Sequence, residues 1–306
     1  MRTVYLRILI FILIVVVGDI TGGVVCRYLY NITNDPPTVK LKHTLNSTNE
    51  DILILGNSRA ECHFVSDIIK DSTGLTIYNC GIGGADFLFS EIQLKESLKR
   101  YRPKLVVLEA SPNSFFLVNG EDKLKALLPF YKRDTLIYNA LTKGNFFEKV
   151  KFISSIYPYN STIGASLRGV FKKSTDTLMG FVPAFGTIDS VHEINYMNHH
   201  YKDRQINESD LNILRRIINS CIENKIKLMI ISTPVYFMSS NYCDLETKIK
   251  QYCSAYSGNV HFFDYTDFKK TKGRKDLFYD NFHLNEQGAR VFTQQVSGDI
   301  INIIQD

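Results

Sequence analysis

Three residues stand out by type and position. Ser58 follows Gly56 and Asn57 at the end of an unbroken apolar run, 52–55. Asp280 and His283 stand three residues apart, just ahead of the last helically patterned stretch, 286–304. A serine hydroxyl becomes a nucleophile when a histidine takes its proton, and the histidine works best when a carboxylate holds its ring. Together the three residue types are the set needed for acyl transfer through an acyl-serine. Each alone has a plainer reading. Serine is a favoured helix N-cap, which suits Ser58 as well as chemistry does. Seven histidines make an Asp-x-x-His spacing common by chance. Other histidines count for less. His63 falls on the helix after Ser58, facing solvent or the core. His192, His199 and His200 cluster without a cysteine or paired carboxylates beside them, so no metal site is expected. Nothing in the sequence calls for a cofactor.

The elements around these residues follow a βα rhythm. Run 52–55, isoleucine and leucine throughout, reads as a strand buried on both faces, and Gly56 permits a sharp turn into a helix over 58–71. A second strand, 75–80, ends in Gly81-Ile82-Gly83-Gly84, and a helix follows over 87–100. A third strand, 104–110, turns out at Ser111-Pro112-Asn113. The rhythm breaks over 114–206, an aromatic-rich stretch of short helical patterns, read as an insertion. Its aromatics suit small helices packed on the core, a substrate groove or a membrane surface. The rhythm returns with a helix from Glu208, a strand over 227–233, a helix over 245–256 and a strand over 260–263. Such alternation predicts an α/β fold: about five parallel strands between two helical layers. All βα turns of such a sheet open on one edge, where ligands bind.

The N-terminus differs from the rest. Arg2 and Arg7 precede an apolar stretch, and Ile8 to Val25 makes 18 residues, near the short limit for crossing roughly 30 Å of hydrocarbon. An uncleaved signal anchor is the favoured reading, with a transmembrane segment at 1–26, a tether at 27–50 and the main domain at 51–306. A cleaved signal peptide has the same basic start and apolar centre, with Gly22-Gly23 as its cleavage candidate. Cys26 suggests a lipoprotein, but bulky Val25 precedes it. Asp19 is costly in lipid and is expected near the outer interface or paired with another membrane helix. Arg2 and Arg7 place the N-terminus in the cytoplasm and the bulk of the chain outside. Net charge is only +5, with no basic block, so nucleic acid is not implied. The six cysteines contain no CxxC pair. Cys243 and Cys253 suit a small disulfide loop or two separate thiols. Sequons at Asn31, Asn46, Asn160 and Asn207 matter only in a eukaryotic secretory route.

Taken together, 52–306 resembles the SGNH/GDSL hydrolase family. The family's first block, Gly-Asp-Ser after the first strand, is matched by Gly56-Asn57-Ser58, with asparagine in place of the acid. Its glycine after the second strand is matched by Gly83 or Gly81. Its Asp-x-x-His before the last helix is matched by Asp280 and His283, with Leu284, Asn285 and Gly288 following. The third block, Gly-x-Asn-Asp, has no clean counterpart; Asn113 is nearest, at a different offset, and equally suits a turn. The resemblance implies a three-layer, flavodoxin-like fold with Ser58 as nucleophile, His283 as base and Asp280 orienting it. It implies an oxyanion hole from the Ser58 and Gly83 N–H groups, with Asn113 as a third donor. A membrane-anchored domain of this kind looks like proteins that add or remove acyl groups, acetyl foremost, on cell-surface or exported glycans. The partners implied are an ester-bearing or acyl-accepting glycan, the membrane, and a multispanning acyltransferase. The missing third block points to the alternative, a catalytically weak glycan-binding or scaffold component of such a system.

Overall fold

The computed structural model describes residues 1–115, 120–172, 178–188, 206, 208–238, 240–256 and 258–305. In chain order the elements are α1 (Arg2–Ile32), α2 (Pro36–Asn46), β1 (Ile52–Leu55), α3 (Ser58–His63), α4 (Ser66–Thr73), β2 (Ile77–Asn79), α5 (Phe87–Leu98) and β3 (Leu105–Glu109). Then come α6 (Gly120–Leu124), α7 (Thr135–Thr142), α8 (Phe146–Lys151), α9 (Ile163–Gly169), α10 (Glu208–Glu223), β4 (Lys227–Ser232), α11 (Ser240–Cys253), β5 (Val260–Asp264) and α12 (Glu286–Gln305). The chain forms two compact units, Met1–Leu41 with Glu121–Thr175, and Lys42–Gly120 with Asp176–Asp306.

The larger unit is built on one parallel sheet in the order β2-β1-β3-β4-β5. This is the flavodoxin-like order, in which the chain crosses one way from β1 to β2 and the other way to β3. Strands with two buried faces need apolar residues at every position. Every residue of β1, β2 and β3 is buried. One face carries Ile52, Ile54, Val107, Met229 and Ile231 against α3, α4 and α12, with Phe292 and Val296 central. The other carries Leu53, Leu55, Val106, Leu108 and Ile230 against α5, α10 and α11. The register pairs Leu55 with Leu108 and Ile54 with Asn79. The turns after β1, β2 and β3 therefore leave the sheet side by side at its carboxyl edge.

Three expectations need correction. The helix expected over 58–71 is two, α3 and α4, because Phe64 is extended and its ring packs against Phe292 in the core. The tether expected over 27–50 is helical for most of its length: α1 runs unbroken to Ile32 and α2 follows. The insertion is not one body. Residues 121–175 belong to the smaller unit, whereas 178–188 belong to the larger one, where Met179 O accepts from Asn79 N and Val182 N donates to Glu61 O. Of the two alternatives open for Cys243 and Cys253, separate thiols is the one observed, with Cys253 buried and Cys243 exposed.

In the smaller unit, α1 is long and apolar enough to cross a membrane. Its first half is bare, with Phe11 and Val16 exposed, while Gly23, Cys26 and Tyr30 are buried. The Tyr30 ring meets Phe130 and Tyr159, and Arg27 Nε donates to Tyr159 Oη. The costly Asp19 is satisfied by the chain itself: Ser154 Oγ donates to Oδ1 at 2.5 Å and Ser155 N to Oδ2 at 2.6 Å.

Candidate active site

Gly56 makes the turn after β1. Its φ of +140° suits glycine, and a Cβ there would lie 2.9 Å from both Ala60 Cβ and Glu109 Cβ. Asn57 then caps α3, its Oδ1 accepting from Arg59 N at 2.8 Å. The capping role considered for Ser58 thus falls to Asn57, and Ser58 stands at the first helical position with its Oγ free for other use. Asn57 Nδ2 donates to Ser114 Oγ at 2.9 Å, and Ser114 Oγ donates to Glu109 Oε2 at 2.7 Å. Next to Ser58, the Arg59 guanidinium is buried. It donates to Thr233 Oγ1 and Tyr242 Oη at 2.9 Å and lies 3.7 Å from Glu109. The start of α3 is therefore tied to the ends of β3 and β4 by polar groups sealed from water, where hydrogen bonds are strongest.

On the opposite side, 278–284 is a pinched loop. Phe278 and Leu284 pair across its neck, and Tyr279 N donates to His283 O. Within it Asp280 Oδ1 accepts from the backbone N–H of Phe282 at 2.7 Å and of His283 at 2.8 Å. Its other oxygen, Oδ2, lies 2.7 Å from His283 Nδ1. A carboxylate only accepts, so Nδ1 carries the proton and Nε2 presents a lone pair. That lone pair faces Ser58 Oγ at 2.7 Å. Burial pushes the Asp280 carboxyl up, but the His283 hydrogen bond, the charge that ring takes when protonated and the two backbone N–H groups outweigh this, so its pKa lies below the usual value. Asp280 is thus held ionised beside the imidazole.

His63 holds the same loop from below. It is fully buried, and its Nε2 accepts from Leu284 N at 3.0 Å. Burial, then the charges of Arg59 and His283, hold its pKa well below the ordinary histidine value, so it is neutral. Of the two placements considered for it, the core is correct. Asn285 completes the frame, donating to Asp276 O at 2.7 Å and accepting from Gly288 N at the start of α12.

The glycine turn after β2 is differently arranged from the expectation. Gly81 N donates to Asn79 Oδ1 at 3.0 Å, which removes it as a donor to a ligand. Gly83 lies beside Ser58, where a Cβ would be 3.8 Å from Ser58 Cβ. Its N–H, however, donates to Glu61 Oε2 at 3.0 Å. A carboxylate oxygen of the chain itself thus sits on this donor. The Ser58 N–H, at the first turn of α3, has no acceptor within its own helix. The Asn113 side chain lies outside the described residues, as do His192, His199 and His200. No cluster of metal-ligating side chains occurs among the described residues.

The site therefore brings Ser58, His283 and Asp280 into one hydrogen-bonded line and places Gly83 beside them. Sequence reasoning missed Glu61, Arg59, Glu109, Ser114 and the holding role of His63. Glu61 had one signal, its place one turn beyond Ser58 on the same helix. The others carry none: Ser114 and Glu109 are near neighbours in sequence, but the groups they and Arg59 and His63 hold lie about fifty to more than two hundred residues away.

No protein family matches the chain, and no curated protein matches it significantly. Solved structures do. One, from Streptococcus pneumonia and assigned as a platelet activating factor, matches with a TM-score of 0.44 at 13% identity, over 95% of this chain and 98% of that one. A second, assigned to the lipolytic G-D-S-L family from Desulfitobacterium hafniense, has a TM-score of 0.43 at 7% identity, over 81% of this chain and 97% of that one. A third, a carbohydrate esterase family 3 protein from Talaromyces cellulolyticus, has a TM-score of 0.40 at 11% identity, over 83% of this chain and 98% of that one. At such values the likeness carries no weight for chemistry, which rests on the side chains of the site.

Proposed function

We propose that the chain is a serine-dependent ester hydrolase or O-acyltransferase of SGNH type, working through an acyl-enzyme on Ser58. The observation that carries the reading is the line from Ser58 Oγ to His283 Nε2 to Asp280, with both links at 2.7 Å. His283 Nε2 takes the Ser58 proton as Oγ attacks an ester carbonyl. The resulting oxyanion is met by the Ser58 N–H, and by the Gly83 N–H once Glu61 has withdrawn. The imidazolium, steadied by Asp280, returns its proton to the departing alcohol, leaving the acyl group on Ser58. A water or a sugar hydroxyl then repeats the sequence in reverse, giving hydrolysis or transfer.

The finer reading is an acetyl ester on a cell-surface or exported glycan, with the larger unit outside the cytoplasm. Arg2 and Arg7 ahead of the apolar run support that orientation. A multispanning acyltransferase is the partner this placement would serve. A second reading, a catalytically weak glycan-binding or scaffold protein, is favoured by the missing Gly-x-Asn-Asp block and by the Glu61 carboxylate on the Gly83 N–H.

The test uses the full chain in detergent, with a fluorophosphonate probe and an aryl acetate, beside Ser58→Ala. The expected result is covalent labelling and turnover that both disappear in the variant. Absence of labelling and turnover in the unsubstituted protein would decide for the second reading. Acetate release from an acetylated glycan, with and without an acceptor sugar, then separates hydrolysis from transfer.

A further inference from the structure

The smaller unit carries an exposed apolar edge just ahead of the residues that bond α1. In α8 and the turn after it, Phe146 is 70%, Phe147 74% and Ile153 81% exposed, with Val150 also exposed. Phe146 and Val150 stand one turn apart on one face of α8, and Ile153 follows in the turn beyond the helix. Lys149 and Lys151 interrupt this edge, Lys151 pairing with Glu148 at 2.6 Å, and Lys143 stands just before it; all three lysines are exposed. Single exposed apolar residues are ordinary, but a contiguous aromatic edge bordered by lysines is not.

The insertion's path along α1 sets the height of this edge. Ser154 and Ser155 bond Asp19. Ile156 lies against Gly22, and the Ser155 backbone lies so close to Gly23 that a Cβ there would come within 2.8 Å of it. Farther along, Tyr159 bonds Arg27, and Gly169 O accepts from Asn34 N. The chain thus climbs α1 from Asp19 to Asn34 as it runs from 154 to 169. The glycine pair weighed as a cleavage candidate is the surface that permits this close approach. Asp19 lies six residues short of Val25, the end of the apolar stretch, or about 9 Å inside it at 1.5 Å per residue. Amphipathic segments lying in a bilayer interface bury their apolar face by about 5–10 Å. Asn34 lies nine residues, or about 13 Å, beyond the same end, well clear of the hydrocarbon.

We propose that 146–156 is a lipid-seated collar: Phe146, Phe147, Val150 and Ile153 enter the outer acyl-chain boundary while the lysines meet anionic headgroups. The inference rests on the reading of α1 as a membrane span and is independent of the Ser58 chemistry. Ile153 directly precedes Ser154 and Ser155, which are bonded to Asp19 inside the span, and this attachment selects lipid over a protein partner. The collar also explains why an aspartate is kept inside the span, since Asp19 is the clasp that fixes the collar's depth.

The sequence contains no tryptophan, so single tryptophans report depth directly. The full chain is reconstituted in phosphatidylcholine–phosphatidylglycerol vesicles carrying bromines shallow or deep on the acyl chains. Three variants are compared: Val16→Trp at mid-span, Phe147→Trp on the collar, and Phe171→Trp, whose parent is 86% exposed just beyond α9. The expected depth order is clear. Phe147→Trp emits to the blue and loses most intensity to shallow bromines, Val16→Trp to deep ones, and Phe171→Trp to neither. Quenching of Val16→Trp without quenching of Phe147→Trp overturns the collar and leaves the anchor; a blue emission in that case marks a protein neighbour instead of lipid. Equal quenching of Phe171→Trp overturns the assigned depth. Unquenched Val16→Trp overturns both the collar and the membrane span.

Discussion

Replacing Asp280 with asparagine tests whether the carboxylate sets the histidine's proton, because this substitution keeps the shape and changes only the donor pattern. Asp280 Oδ1 now accepts from two backbone N–H groups, those of Phe282 and His283, while Oδ2 accepts from His283 Nδ1. In the variant, the single amide oxygen stays with the two backbone donors and the NH₂ group faces Nδ1. The imidazole must then carry its proton on Nε2, where it cannot take one from Ser58. To restore the working tautomer the amide must flip, setting its NH₂ against both backbone N–H groups. Leaving two such donors without an acceptor costs about 1–3 kcal/mol each. At about 1.4 kcal/mol per factor of ten, the working form falls to roughly one molecule in thirty at best and roughly one in twenty thousand at worst. Loss of the charge that steadies the imidazolium adds to this, so the expected fall in kcat is about 10⁴-fold. The assay is aryl acetate turnover together with the rate of fluorophosphonate labelling, and both should fall in parallel. A urea midpoint within a few tenths molar of the parent would show the loop intact. Turnover within tenfold of the parent, in a folded protein, would refute the assignment of the Nε2 lone pair to Ser58.

Three further outcomes follow from groups around the site. Glu61→Ala frees the Gly83 N–H, and because one oxyanion donor is worth about 10²–10³ in rate, aryl acetate kcat should rise by tenfold or more; a fall in a folded variant would show that Glu61 holds the turn and does not block it. His63, kept neutral by burial, binds a proton in the unfolded chain near pH 6.5 but not in the folded one, so its contribution is full above that pH and erodes as pH falls below it. Urea midpoints at pH 7.5 and 5.5 should therefore differ more in the parent than in His63→Gln. Glu246 behaves oppositely: burial raises its pKa to about 8, so folding retains a proton that the unfolded chain sheds near pH 4.5, and stability declines between those two values as pH rises. Glu246→Gln should raise the urea midpoint at pH 8 far more than at pH 5, and an equal rise at both would contradict the assignment.

Local chemistry made much of this protein legible in its sequence. An apolar run that breaks at Gly56-Asn57-Ser58 can be read as a buried strand and a sharp turn without knowing what surrounds it, because burial on two faces demands every residue. The same holds for the strands at 104–110 and 227–233, and for Asp280, which organises the N–H groups next to it through bonds spanning two or three residues. Parallel βα topology then brings all the turns to one edge, so the closeness of Ser58 and His283 could be expected from order alone.

Tertiary structure decided the rest. Which glycine N–H is open depends on Glu61 reaching across from another turn and on Asn79 claiming Gly81. The division of the insertion between two units was equally hidden, since α1 and 121–175 meet through Asp19, the glycine pair and Tyr30 across more than a hundred residues. Such contacts leave no periodicity in the sequence. They are selected by shape and by the need of each buried polar group for a partner, and both exist only once the chain has closed on itself.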